Sequence, residues 1–173
     1  MIETERLILR KLVMSDDTGM FELDSNRDVH RYLGNNTLNT IDQSRKAISK
    51  IQEQYQNNGI GRWAMIEKET NHFLGWAGLK FIDEKINNHI HYYDVGYRLI
   101  KRYWGKGFAT EAAMASVHYG LTILNQNTIY GMADSQNVAS IHVLQKIGLK
   151  PIEEFIYATR SHLWFKTSKN DID

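Results

Sequence analysis

Arg102-x-x-Gly105-x-Gly107 stands directly after a predicted strand and directly before a predicted helix. Glycines permit a tight turn there, and the first turn of the helix presents unpaired N–H groups and the positive end of its dipole. Together these features bind an anion, and their reach suits a pyrophosphate. Lys101, Arg102 and Lys106 add positive charge, and Thr110 adds a hydroxyl donor. Two familiar nucleotide loops do not fit. The spacing of a Walker A loop is missing, and Gly105-x-Gly107 is followed by Thr110 where a dinucleotide fingerprint has its third glycine. The segment also lies past residue 100, away from the opening βαβ unit in which that fingerprint sits. A helix-starting turn with basic surface residues is the plainer alternative.

Downstream, Asn137 and Ser140 are three residues apart, near the start of a second predicted helix. Asn137 can cap that helix, and Ser140 can be an inert hydroxyl. Combined with the first loop, they offer an amide and a hydroxyl to the distal part of the same ligand. Lys146, two turns on, can reach an exposed phosphate or serve solubility. Asp94 shares a strand face with Gly96, two residues on, and is the best-placed carboxylate for a base. Its ordinary pKa, about 3.9, makes it weak in that role, so a water relay, charge attraction or plain solvation are alternatives. His89 and His91 can transfer protons, but two histidines without a fixed carboxylate form a poor metal set, and a solvated hairpin explains them. His118 and His142 read as surface or structural residues. Trp63, Trp76, Trp104 and Tyr97 shape an acceptor pocket or pack the core, while Glu67 and Glu69 can attract an amine or be solvated.

The elements that must hold these residues follow from periodicity. Leu7–Leu9 opens as a strand, Ser15–Asp24 suggests a short helix, and Thr40 starts a helix with Ile41, Ala47, Ile48, Ile51 and Tyr55 on one face. Strands are predicted at Arg62–Glu67, Phe73–Ile82 and Tyr92–Ile100, the last two separated by a polar hairpin or loop. Gly75, Gly78 and Gly96 inside them mark a bulge, a close approach or a strained turn. Gly107–Leu124 is predicted helical, with Ala109, Ala113, Val117, Leu121 and Leu124 on one face. A strand at Thr128–Ala133, a helix at Asn137–Ile147 closed by Gly148, and strands near Ile152–Ala158 and Leu163–Lys166 complete the chain. In that second helix Val138, Ile141, Leu144 and Ile147 are predicted to face the core. The result is an α/β or α+β layer fold around a mixed sheet.

Composition narrows the chemistry. The 173 residues are one domain's worth of chain, 42% hydrophobic, with 21 Lys and Arg against 20 Asp and Glu. Zero cysteines exclude disulfides, a thiol nucleophile and thiolate metal ligation. A net charge of +1 argues against a dedicated nucleic-acid surface. No apolar run approaches the roughly 20 residues that span a bilayer, and MIETERLILRKL lacks the apolar stretch of a signal peptide. A cytoplasmic protein is expected.

RYWGKG at 102–107, the helix FATEAAMASVHYGL behind it and ADSQNVASIHVLQKIGLK together resemble the Gcn5-related N-acetyltransferases. TERLILRKL, LGWAGLKF and DVGYRLIKRYWGKG look most like the Rim-type ribosomal-protein acetyltransferase branch. The resemblance spans approximately residues 2–168 and implies a single acetyltransferase domain over 1–173. It implies a mixed, curved and splayed sheet of about six to seven strands with helices on both faces. Acetyl-CoA is the implied co-substrate, received where the fourth and fifth strands part, with no metal. The resemblance places its pyrophosphate on the amides of Gly105, Lys106, Gly107, Phe108 and Ala109, with Arg102 at the edge. It lays the pantetheine arm along Arg98, Leu99 and Ile100, with Asn137 near the thioester end and Ser140 facing the sulfur. One position departs: many members carry a tyrosine acid four residues before the glycine ending this helix, and here that residue is Leu144, ahead of Gly148. Ser140 resembles the serine proposed for this role in the Rim-type branch, which implies it as the acid or thiolate-stabilising group, with a bound water as alternative. Leu99 or Ile100 N–H is the expected donor to the carbonyl oxygen. The acceptor is an amine of a protein N-terminus or a small molecule such as a polyamine or aminoglycoside. A catalytically weak acyl-CoA-binding module is the alternative. No nucleic acid or membrane partner is expected, and the chain is a monomer or homodimer.

Overall fold

The computed structural model describes residues 1–171. Among them the strands are β1 (Ile2–Glu3), β2 (Leu7–Lys11), β3 (Arg62–Glu67), β4 (Phe73–Ile82), β5 (Tyr92–Leu99), β6 (Thr128–Asp134), β7 (Lys150–Tyr157) and β8 (Arg160–Ser168). They form one sheet in the order β1-β2-β3-β4-β5-β6-β8-β7. The α/β class expected from the sequence is therefore the one observed, but with eight strands rather than six or seven. Ile2–Glu3 supplies the extra one by pairing with Ile8 and Leu9, and two residues are too few to show a period.

The helices are α1 (Asp17–Asp24), α2 (Arg27–His30), α3 (Ile41–Asn58), α4 (Phe108–Thr122) and α5 (Val138–Lys146). Thr40 caps α3 as expected, in a capping box closed by Gln43. A four-residue helix such as α2 leaves no periodic signature; Asn26 starts it by accepting from Asp28 N–H and Val29 N–H. Val138 does not face the core: it opens α5, ahead of the turn that packs, and is 71% exposed. Leu144 on the same helix and Ile147, which caps its end, are buried. Gly148 follows α5 at φ +88°, a left-handed value that ends a helix readily.

The sheet has two different faces. Val95, Ile129 and Leu79 meet α4 and α5, because a Cβ on Gly120 of α4 would touch Leu79 and Ile129. A Cβ on Gly131 would likewise touch Leu144 and Val95. Asp94, Gly96 and Arg98 alternate onto the opposite face, where Arg98 reaches Asp24 at the end of α1. All neighbouring strands pair antiparallel except β5 and β6, which run parallel. Their register holds one Cα pair, Asp94↔Tyr130. Beyond it the seam opens. The opening lies between the fifth and sixth strands, one later than expected, because β1 shifts the count.

Candidate active site

The loop between β5 and α4 is shaped by two left-handed glycines, Gly105 at φ +73° and Gly107 at φ +81°. A residue with a Cβ is disfavoured in that conformation. Gly107 caps α4 through its carbonyl, which accepts from Glu111 N–H. The N–H groups of Gly105, Lys106, Gly107, Phe108 and Ala109 have no acceptor among the described residues. Five consecutive free donors at the positive end of a fifteen-residue helix form the donor set a pyrophosphate requires.

A clamp from the chain's first residues braces this loop. Arg6 Nη1 donates to Lys106 O at 2.9 Å, and Arg6 Nε meets Glu111 Oε2 at 2.7 Å. Glu111 Oε1 also accepts from Thr4 Oγ1 at 2.5 Å and from Arg6 N–H at 2.8 Å. Burial alone would raise the Glu111 carboxyl, but these donors hold it below the usual glutamate range. Arg6 stacks on the Phe108 ring at 4.4 Å. The sequence reading missed this clamp. An acid in the first turn of α4 was its visible signal, whereas its partners lie about a hundred residues away.

Arg102 is exposed, ion-paired with Glu22 and laid over the Tyr103 ring. Lys106 and Lys146 are exposed, and Thr110 is half-buried in the first turn of α4. Ile100 N–H is spent on Leu74 O at 2.9 Å. In an antiparallel pair such groups alternate between the two sides of a strand. Ile100 and Arg98 therefore turn their backbone groups to β4, and Leu99 N–H turns toward the opened seam. Leu99 O is occupied by Trp104 Nε1–H at 2.8 Å.

Across the seam stands the start of α5. Asn137 caps it, its Oδ1 accepting from Ser140 N–H at 3.2 Å. Ser140 is half-buried, with its Oγ 3.0 Å from Tyr97 Oη. The structure thus brings the glycine loop, Leu99, Asn137 and Ser140 around one opening. Leu144 is buried and apolar, so α5 offers no phenol at that position.

On the other face Asp94 is 14% exposed and bonded through Oδ2 to Arg62 Nη2 at 2.5 Å. Arg62 Nη1 also donates to Asp94 O at 2.7 Å and to Gly78 O. A Cβ on Gly96 would lie 2.6 Å from Arg62 Nη2, so a side chain there would push the guanidinium away from Asp94 and Gly78. Burial pushes the Asp94 carboxyl above the usual aspartate range, and Arg62 and Lys80 pull it only part of the way back. Two further acids complete this wall. Asp24 Oδ1 accepts from Arg98 Nη1 at 2.6 Å and lies 3.1 Å from His30 Nε2. Asp134 Oδ2 lies 2.7 Å from Arg160 Nε. Sequence reading passed over Arg62, Asp24, His30 and Arg160, because alternation assigns a face but not a partner.

The remaining candidates lie elsewhere. His89 packs among Tyr92, Tyr130 and Trp164. His91 adopts φ +56° and is exposed. Trp63 packs against Tyr119 of α4, whereas Trp76 lies under Arg62 and Arg98. His118 and His142 are exposed, as are Glu69 and, in part, Glu67. Among the described residues no group of three or more His, Cys, Asp or Glu is arranged to hold a metal ion. No helix among them is long and apolar enough to cross a membrane.

The chain is similar to known acetyltransferases. A family model described as an acetyltransferase (GNAT) domain matches residues 6–150. The uncharacterized N-acetyltransferase p20 of Bacillus licheniformis is 31% identical over 147 residues, covering 85% of this chain and 80% of its own. Spermidine N(1)-acetyltransferase of Escherichia coli K12 is 28% identical, over 86% of this chain and 75% of its own. The crystal structure of a GNAT-family acetyltransferase from Bacillus anthracis superposes with a TM-score of 0.81 over 98% of both chains, at 24% identity. The matched span runs from the Arg6 clamp through the glycine loop to the end of α5, and the chain belongs to the GNAT family, enzymes that transfer the acetyl group of acetyl-CoA to an amine.

Proposed function

We propose that this enzyme acetylates a primary amine at a protein N-terminus, in the manner of the Rim-type branch, with the whole chain acting as one domain in the cytoplasm. The observation that carries the reading is the opened seam between β5 and β6. Five free N–H donors stand at one end of it, and Ser140 stands across it. The loop amides hold the pyrophosphate, Leu99 N–H and Asn137 receive the pantetheine arm, and Ser140 faces the sulfur. Acetyl-CoA supplies the activated acyl group when bound. Fixing both substrates in one cleft supplies much of the rate advantage.

Asp94 keeps Oδ2 on Arg62 and turns Oδ1 toward the incoming amine, whose proton it receives directly or through one water. Leu99 N–H stabilises the charge that develops on the carbonyl oxygen. Ser140 O–H stabilises the departing thiolate. With no cysteine in the chain, the acetyl group passes directly between the two substrates.

The choice of acceptor rests on charge. Asp24, Asp94 and Asp134 are each ion-paired with an arginine, so the wall carries too little net negative charge to favour a polycation. The single amine of a peptide N-terminus needs only one carboxylate oxygen, the Asp94 Oδ1 that Arg62 does not hold. CoA release with a panel of N-terminal peptides, spermidine and an aminoglycoside tests this. Peptide turnover with kcat/KM at least about tenfold above spermidine is expected. Turnover confined to the polyamine or aminoglycoside contradicts it.

A further inference from the structure

Leu144 leaves α5 without a phenol, yet a phenol reaches the same helix from the sheet. Tyr97 of β5 places Oη 3.0 Å from Ser140 Oγ and 2.9 Å from Ser140 O. Strand alternation sends Tyr97 to the face of Val95 and Leu99, opposite Asp94 and Arg98. It lies three residues beyond the Asp94↔Tyr130 pair, where β5 and β6 have parted. Leu144, one turn on from Ser140, packs instead against β6, close enough to Gly131 that an added Cβ would lie 2.9 Å from Leu144 Cδ2.

We propose that Tyr97 is the positioning residue for Ser140, holding its hydroxyl at rest and donating to Ser140 Oγ when the serine O–H turns to the sulfur. The proposal rests on the acetyl-transfer reading of Ser140 above. In the resting arrangement Tyr97 O–H donates to Ser140 O, and Ser140 O–H can donate to Tyr97 Oη. During transfer a C–N bond forms, the C–S bond breaks and its electron pair goes to sulfur. The amine proton leaves on the Asp94 side, and Ser140 O–H hydrogen-bonds the new thiolate. Tyr97 shifts its own donation from the carbonyl to Oγ and keeps its proton throughout. Burial supports that constancy: it raises the phenol above its ordinary value, with the Ser140 hydrogen bond opposing and Asp94 adding to the rise.

The test is a double-mutant cycle on kcat and on the KM for acetyl-CoA, using Tyr97→Phe, Ser140→Ala and the double variant. Tyr97→Phe is expected to lower kcat about tenfold with the KM changed less than twofold. In the Ser140→Ala background the same change is expected to do nothing further. A general loss of packing would lower both backgrounds equally, and that result overturns the proposal. So does an unchanged kcat in Tyr97→Phe beside a slowed Ser140→Ala, which leaves the acetyl-transfer reading standing. If Tyr97→Phe does not fold, 3-fluorotyrosine at 97 replaces it: a rate dependent on ring substitution only when Ser140 is present supports the assignment, and no dependence overturns it. CoA binding without release by the wild type, with every amine tried, overturns the underlying reading instead.

Discussion

Arg62 Nη2 lies 2.5 Å from Asp94 Oδ2, while the same guanidinium covers Gly96 so closely that a side chain there would displace it. The pair fixes one carboxylate oxygen, and the other is the one proposed to face the acceptor amine. Because burial raises the Asp94 pKa, its proton is lost above the ordinary aspartate value of about 3.9. The acid limb of kcat/KM should therefore lie higher than a solvated aspartate gives. Asp94→Asn should remove that limb and lower the plateau about 10²-fold. Matching pH profiles and acceptor affinities for variant and wild type would eliminate Asp94 from the mechanism.

Arg62→Leu tests the structural half of the pair. Removing one partner of a buried ion pair strands the other, at a cost of about 3 kcal/mol. Asp94 then has a folded pKa raised further above its unfolded value. Protonation at low pH neutralises the stranded carboxylate, so stability falls as pH rises through the folded pKa. Urea unfolding should show a larger deficit at pH 7 than at pH 4.5. An equal deficit at both would mean that Arg62 acts through packing alone.

Gly107→Val combines a left-handed backbone with crowding, since a Cβ there would lie 3.3 Å from Arg6 Nη2. Non-glycine residues lose roughly 1–2 kcal/mol in that conformation. Shifting the loop amides should weaken CoA binding by more than about tenfold, with the far-ultraviolet spectrum unchanged. Titration calorimetry reads the first quantity, and wild-type affinity in the variant would count against the loop.

Glu111 makes a prediction of opposite sign to Asp94. Its folded pKa is depressed by Thr4 and Arg6, so its contribution is present above the unfolded value and lost as pH falls through the folded one. After allowance for the exposed Arg6 side chain, that contribution is about 1 kcal/mol. The Tm of Glu111→Gln should lie below wild type at pH 7 and converge with it near pH 3. Parallel curves would show that the carboxylate contributes nothing pH-dependent.

Much of the fold was legible because its longer elements carry clear periods. The strands at Arg62–Glu67 and Phe73–Ile82 fall where alternation and β-rich composition place them, and Thr40 marks the start of α3. Ile2–Glu3 and Arg27–His30 escaped because two or four residues complete no period. At the site, Gly105, Gly107, Asn137 and Ser140 were visible through turn and cap chemistry, which is local. Arg6 with Glu111, Arg62 with Asp94 and Tyr97 with Ser140 were not. Each joins residues from 32 to 105 positions apart, and which partner a charge finds is decided by sheet register. Ile100 shows the same limit: its N–H was a candidate donor until the register spent it on Leu74.

A crystal structure with CoA bound tests the central placement most directly. Pyrophosphate oxygens within hydrogen-bond reach of the amides of residues 105–109, with the sulfur facing Ser140 across the β5–β6 seam, are the predicted result. A pyrophosphate held elsewhere, or a sulfur turned away from the start of α5, would contradict it.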